Sequence, residues 1–162
     1  MSRPMNLLVK DVFEIAKTLS LVVDEGEQIY KIIKHYVDNP SLRGIFVVDK
    51  ERRLKGIVTR NDLLQWAKFK IGAYTSNDTL IVDKINRYVY STTAKDIIHR
   101  YSSETYVKPE DDLTSALEMM LNEDVLAIPV VDEEKRIIGD LILSEVLHAI
   151  VRNARAESVS EN

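Results

Sequence analysis

The chain repeats itself, and that constrains its fold more than any other feature. Ile45-Phe46-Val47-Val48-Asp49 returns as Ile128-Pro129-Val130-Val131-Asp132, 83 positions further on. Carried through Trp66 and Ala149, the offset pairs identical residues at Ile45/Ile128, Val47/Val130, Val48/Val131, Asp49/Asp132, Glu51/Glu134, Arg53/Arg136, Gly56/Gly139 and Leu64/Leu147. Average composition gives about one such identity by chance in a window of this length. Upstream, Ile29, Ile32, Ile33, Tyr36 and Val37 carry the spacing of an amphipathic helix, and Leu113, Ala116, Leu117, Met120 and Leu121 repeat it with a one-residue slip. The slip falls in the turn at 38–42, where an insertion is tolerated. Further up, Lys10-Asp11-Val12 resembles Lys95-Asp96-Ile97. Each copy must therefore build the same unit.

The pattern predicts a short helix over 9–17 and 94–100, then a strand over 20–23 and 105–108. The amphipathic helix follows. Two Val- and Ile-rich strands come next, at 44–48 and 54–59 in the first copy and 127–131 and 137–142 in the second. A charged turn joins them, and a closing helix covers 61–71 and 144–153. The fold class is α/β (α+β): two β-α-β-β-α repeats. A unit of about 55 residues leaves one sheet face uncovered and is marginal alone, so the repeats are expected to pack sheet to sheet as a pseudo-twofold pair. The expected organisation is a first repeat over 9–71, a connection over 72–93, a second repeat over 94–153 and an unstructured tail over 154–162. The connection carries turn signals at Gly72 and Ser76-Asn77-Asp78 and three tyrosines, Tyr74, Tyr88 and Tyr90.

Composition narrows the function. The net charge of −4 and the shortness of clusters such as Arg52-Arg53 argue against a nucleic-acid partner. No apolar run is long enough to span a membrane, and residues 1–9 lack a signal segment, so a cytoplasmic protein with no membrane partner is expected. Without cysteine there is no disulfide, thiolate nucleophile or thiolate metal site. His35, His99 and His148 lack metal-ligand spacing, and no metal is expected. No glycine-rich phosphate loop or nucleophile motif is present, so the chain is not expected to be an enzyme or to carry a catalytic cofactor.

Val47-Val48-Asp49, a charged turn, then Gly56-Ile57-Val58-Thr59-Arg60-Asn61-Asp62 opening a helix is a pattern that resembles the CBS domain, and the resemblance extends over about residues 10–152. A tandem pair of such domains (a Bateman module) implies a regulatory unit binding an adenosine-containing ligand, AMP, ADP, ATP or S-adenosylmethionine, in the cleft between repeats. The resemblance assigns the main site to Thr59, Asp62, Arg60 and Ile57, with Ser20, Leu21, Arg43, Gly44, Ile45 and Phe46 lining an adenine slot. The chemistry fits: a carboxylate in the first helical turn accepts charge-assisted bonds from ribose hydroxyls. The helix N-terminus and Arg60 complement phosphate. The same four residues, Thr59 to Asp62, also read as a capping box; the repeat context favours the ligand role, and both roles are compatible. His99 and Arg100 are further candidates to approach phosphate.

The second copy departs from the pattern. Ile142 stands where the first has Thr59, and Glu145 keeps a carboxylate on a longer arm. Ser144 is expected to cap the helix. This site, walled by Leu126, Ala127 and Pro129, is expected to be weaker or empty, leaving one good nucleotide site per chain. The apolar faces of the closing helices, with Leu63, Trp66, Val146 and Ile150, read first as core packing; the resemblance implies a homodimer through them, as such helices make in CBS pairs. Signalling is expected through an effector protein in trans. The competing expectation is a constitutive interaction scaffold without nucleotide.

Overall fold

The structure, a computed structural model, describes residues 5–13, 19–72, 84–99 and 101–160. The chain divides into a central unit, Ser20–Thr105, and a terminal unit made of Met1–Leu19 with Tyr106–Asn162.

The central unit runs β1 (Leu21–Asp24), α1 (Ile29–Asp38), β2 (Ile45–Val48), β3 (Leu54–Val58) and α2 (Arg60–Lys70). The sheet order is β1-β2-β3. β1 and β2 are parallel, with Leu21 opposite Ile45, so a crossover is needed and α1 supplies it. β2 and β3 are antiparallel, with Ile45 opposite Val58. Every residue of β2 is buried, and Ile29 and Ile32 of α1 share a core with Ile45 and Val47. After α2 come a π-helical turn (Ile85–Val89), α3 (Ala94–Ile97) and a 3-10 turn (Ser102–Glu104). Phe69, Tyr88, Ala94 and Ile97 complete this core.

The terminal unit contains a 3-10 turn (Val9–Asp11), α4 (Leu113–Glu123), β4 (Ala127–Val131), β5 (Ile137–Ile142) and α5 (Leu143–Ser160). β4 and β5 pair antiparallel, and Val107 adds a single parallel bridge to Val130. Val9, Phe13, Val107, Leu113, Ala116, Met120, Ile128, Val130, Leu141 and Val146 form its core.

The repeat is visible in backbone detail. Asp49 Oδ1 accepts from the N–H groups of Glu51 and Arg53, and Asp132 Oδ1 accepts from those of Glu134 and Arg136. Both hairpins place a left-handed residue at the same point, Arg52 at φ 64° and Lys135 at φ 66°. Both have a register shift, between Val47 and Val48 and between Val130 and Val131.

The leading segments do not stay with their own repeats. The first repeat's leading segment lies in the terminal unit: Val9 N–H donates to Asp111 O, Lys10 N–H to Pro109 O and Leu113 N–H to Leu7 O. The second repeat's lies in the central unit: Ala94 N–H donates to Glu27 O, Lys95 N–H to Glu25 O and Ile29 N–H to Thr92 O. The two sets of bonds match in pattern, so each leading segment docks at the start of the other repeat's amphipathic helix.

Several expected elements differ in extent. The helix expected over 94–100 stops at Ile97, because Ile98 is extended at φ −53°, ψ 133°; Arg100 lies outside the described residues. Of the helix expected over 9–17, Val9–Asp11 forms a 3-10 turn and Phe13 is not helical, while 14–17 lie outside the described residues. The strand expected over 105–108 reduces to the Val107 bridge. The tail expected to be unstructured is instead helical to Ser160, since Ala154, Arg155, Ala156 and Glu157 are good helix formers and no Gly or Pro interrupts them. In the connection, Tyr74 and Ser76-Asn77-Asp78 lie outside the described residues.

Candidate functional site

The central sheet brings most of the expected main-site residues to one end. β1 begins at Leu21, β2 begins beside it at Ile45, and β3 ends opposite Ile45 at Val58. Ser20, Gly44 and Thr59 therefore flank the same sheet edge. Leu21 N–H donates to Gly44 O at 2.9 Å. A Cβ on Gly44 would stand 3.1 Å from Ser20 Oγ and 3.0 Å from the Phe46 ring, so glycine lets the two strand starts approach closely. Ser20, Ile45, Phe46, Ile57 and Thr59 are buried, whereas Arg43 and Arg60 are exposed.

Asp62 is the centre of this site. It lies in the first turn of α2 and is 2 % exposed. Its Oδ2 accepts from Thr59 N–H at 2.9 Å and from the Thr59 hydroxyl at 2.7 Å, while Asp62 N–H donates to Thr59 Oγ1 at 3.2 Å. This is a complete capping box. Its Oδ1 accepts from Arg87 Nη2 at 2.9 Å and from the Tyr88 hydroxyl at 3.1 Å. His99 Nδ1 stands 3.4 Å from Oδ2. The carboxylate is thus held by a guanidinium, two hydroxyls and a backbone N–H, the full complement a buried charge requires.

The partners Arg87 and Tyr88 were not among the expected site residues. They come from the π-helical turn in the connection, and no motif or spacing marks them; Tyr88 was visible only as one of three tyrosines. Tyr88 stacks on Phe69 of α2 with centroids 5.9 Å apart. Arg87 Nη2 also donates to the carbonyls of Ile97 and Ile98. His99, a further candidate for phosphate, lies beside Asp62; its backbone N–H donates to Ile57 O at 2.8 Å.

The corresponding end of the terminal unit is chemically poorer. Ala127 pairs with Ile142, which is buried and carries no hydroxyl. Leu126 is exposed, and its carbonyl accepts from Leu143 N–H at 3.0 Å. Pro129 lies opposite Asp140, a buried residue whose carboxylate accepts from Leu19 N–H at 3.1 Å. Glu145 is half-buried in the first turn of α5. Ser144, expected to cap that helix, lies inside it, because α5 begins at Leu143.

Of the residues expected to face a partner copy, Val146 is fully buried in the terminal core. Leu63 and Trp66 pack partly against the central core and Ile150 against the terminal one. The apolar side chains that the closing helices expose are Leu64, Leu147 and Val151, with Val159 near the end of α5. Among the described residues no cluster could hold a metal ion, and no helix is long and apolar enough to cross a membrane.

Comparison with known proteins gives a consistent result. The family model for the CBS domain matches residues 8–68 and 94–152. A CBS domain-containing protein from Thermotoga maritima superposes with a TM-score of 0.71 at 26% identity, covering 91% of this chain and 96% of that one. CBSX2 from Arabidopsis thaliana, solved in complex with AMP, gives 0.67 at 21% identity, with 91% and 98% covered. The CBS domain pair of protein MJ0100, in complex with 5'-methylthioadenosine and S-adenosyl-L-methionine, gives 0.62 at 17% identity, with 92% and 99% covered. The chain spans only about a quarter of the length of the curated relatives it matches. These are the magnesium transporter MgtE of Thermus thermophilus, 25% identical with 25% of its length covered, and the inosine-5'-monophosphate dehydrogenase of Methanocaldococcus jannaschii, 27% identical with 22% covered.

Proposed function

The chain belongs to the CBS-domain family, and from that premise we propose that it is a non-catalytic regulatory module whose central unit binds an adenosine-containing ligand. One observation supports this reading: the sheet brings Ser20-Leu21, Gly44-Ile45-Phe46 and Thr59 with Asp62 to a single end, a buried carboxylate at the same end as apolar side chains and strand-end backbone groups. That combination suits a ribose beside an adenine. Chains of the same fold bind AMP in one case and S-adenosyl-L-methionine with 5'-methylthioadenosine in another, which supports the ligand class. The terminal unit, with Ile142 and Glu145 in the corresponding places, is the weaker site. Ligand acts by its differential affinity for two arrangements of the chain, which an effector protein reads in trans. The module works as a homodimer joined through the exposed side chains Leu64, Leu147 and Val151, and equilibrium sedimentation of a Leu147→Glu, Val151→Glu variant tests this by giving monomer.

A second reading has its own observation. Asp62 is already saturated by Thr59, Arg87 and Tyr88, as a residue with a purely structural role would be. On this reading the protein is a scaffold that takes no nucleotide. Calorimetric titration with AMP, ATP and S-adenosylmethionine separates the two. We expect saturable binding of at least one, near one per chain, weakened about tenfold or more by Asp62→Ala, the loss of a charge-assisted hydrogen bond. No binding by the well-folded protein leaves the scaffold.

A further inference from the structure

The carboxylate that a ribose needs is held by the chain's own arginine. We infer that Arg87 is an internal competitor for the nucleoside ribose: it closes Asp62 in the free protein, and ligand must displace it. The inference rests on the nucleotide-binding reading and gives that reading its regulatory step.

Three observations carry it. First, Arg87 Nη2 lies 2.9 Å from Asp62 Oδ1, with the carboxylate buried and the guanidinium partly so, at side-chain exposures of 2% and 16%. A cis-diol cannot reach Oδ1 while the guanidinium is there, because its lone pairs are already taken by Arg87 and Tyr88. Second, the guanidinium is incompletely housed. Nη2 alone serves Asp62 and the carbonyls of Ile97 and Ile98, and Nε is buried without an acceptor among the described residues. A buried donor left unsatisfied weakens the closed state and favours its exchange for a better-matched ligand. Third, Arg87 sits in a π-helical turn, a rare geometry that concentrates at functional sites. The polar ties from that turn to α2 include Arg87 and the Tyr88 hydroxyl on Asp62 and Lys70 Nζ donating to Val89 O at 3.0 Å, beside the Tyr88 ring on Phe69. Two of the turn's polar ties, from Arg87 and Tyr88, end on the one carboxylate oxygen. A ribose taking Oδ1 therefore loosens the Ile85–Val89 turn of the inter-repeat connection in the same step, and occupancy becomes movement of a segment that a partner can read.

Calorimetry with AMP on the wild-type chain and Arg87→Gln tests this, alongside phenylglyoxal labelling of the wild type read by mass spectrometry. We expect Arg87→Gln to bind AMP about tenfold more tightly, the factor regained when a binding-competent state populated about one-tenth of the time becomes dominant. In the wild type, Arg87 should resist labelling and become reactive as AMP is added, while the exposed Arg43 and Arg60 label throughout unless AMP covers them. A folded Arg87→Gln that binds AMP equally or more weakly overturns the competitor role but leaves nucleotide binding standing. Failure of both proteins to bind AMP, and equally ATP and S-adenosylmethionine in the same titrations, overturns the function and this inference together. Should the variant not fold, the wild-type labelling decides: release of Arg87 by AMP supports the inference, and unchanged protection up to millimolar AMP overturns it.

Discussion

Gly56 shows how tightly a single position can be specified. A Cβ there would lie inside the van der Waals envelope of Ile98 Cγ2 and 2.7 Å from Ser102 Oγ. Ser102 Oγ in turn accepts from Ile57 N–H at 2.9 Å, so the segment after α3 is pressed against β3. Gly56→Ala forces these apart, and urea denaturation should show a loss of about 1–3 kcal/mol, the usual cost of overpacking. The opposite sign is expected in the hairpins. Arg52 is an exposed, left-handed residue at φ 64° with a side chain that the turn does not require. Arg52→Gly should raise stability by about 1 kcal/mol by removing the Cβ penalty. At Lys135 the gain should be smaller, because its Nζ lies 5.2 Å from the Tyr106 ring centroid and that attraction is lost. The pattern Gly-apolar-apolar-Thr was legible as a motif; its requirement for a bare Cα at Gly56 was not, since the crowding atoms lie over 40 positions away.

At the scale of elements, α3 is a four-residue helix that owes its existence to its cap. Partial burial pushes the Asp96 carboxyl up, but the N–H groups of Thr92 and Thr93, the Thr93 hydroxyl and the charge of Lys95 together hold it below the ordinary carboxylate range. A carboxyl lowered on folding contributes stability that is complete above its unfolded pKa and is lost as pH falls through the folded one. The melting temperature should therefore decline as pH drops through and below the carboxylate range, and less steeply in Asp96→Asn; identical slopes in the two proteins count against this role for Asp96. Asp49 is lowered in the same sense by Arg53 and adds to the same decline. The amphipathic helices, the antiparallel strand pairs and the closing helices of both repeats were legible because periodicity and caps are local, whereas the leading helices and the 105–108 strand were read too long. The π-helical turn was not, because its conformation is decided by Tyr88 packing on Phe69 and Arg87 reaching Asp62, and nothing in the order Ile85-Asn86-Arg87-Tyr88-Val89 announces either.

For the whole molecule, the unit that repeats in sequence is not the unit that packs. Tyr88, Ala94 and Ile97 belong to the core built on β1, β2 and β3, and Val9 and Phe13 to the core built on β4 and β5. A fragment cut at the sequence repeat, residues 1–71, lacks three members of its core and exposes Val9 and Phe13 with nothing to cover them. A fragment cut at the packing boundary, residues 20–105, keeps its core intact. Circular dichroism should show cooperative melting for 20–105 and none for 1–71; cooperative melting of 1–71 would mean the exchanged segments are dispensable.

The amino-acid sequence by itself determined the two-copy architecture, the family, the order of elements and the sheet edge at which the candidate ligand groups meet. These depend on periodic apolar positions, capping residues and an offset that can be read along the chain. Only the tertiary structure decided which copy each leading segment completes, how far the last helix runs, and that Arg87 and Tyr88 occupy Asp62. The reason is common to all of the pairings: a backbone bond such as Ala94 to Glu27, or an ion pair such as Arg87 with Asp62, joins groups far apart in sequence. Residue type allows such a bond with many partners, and only burial in a shared core selects one.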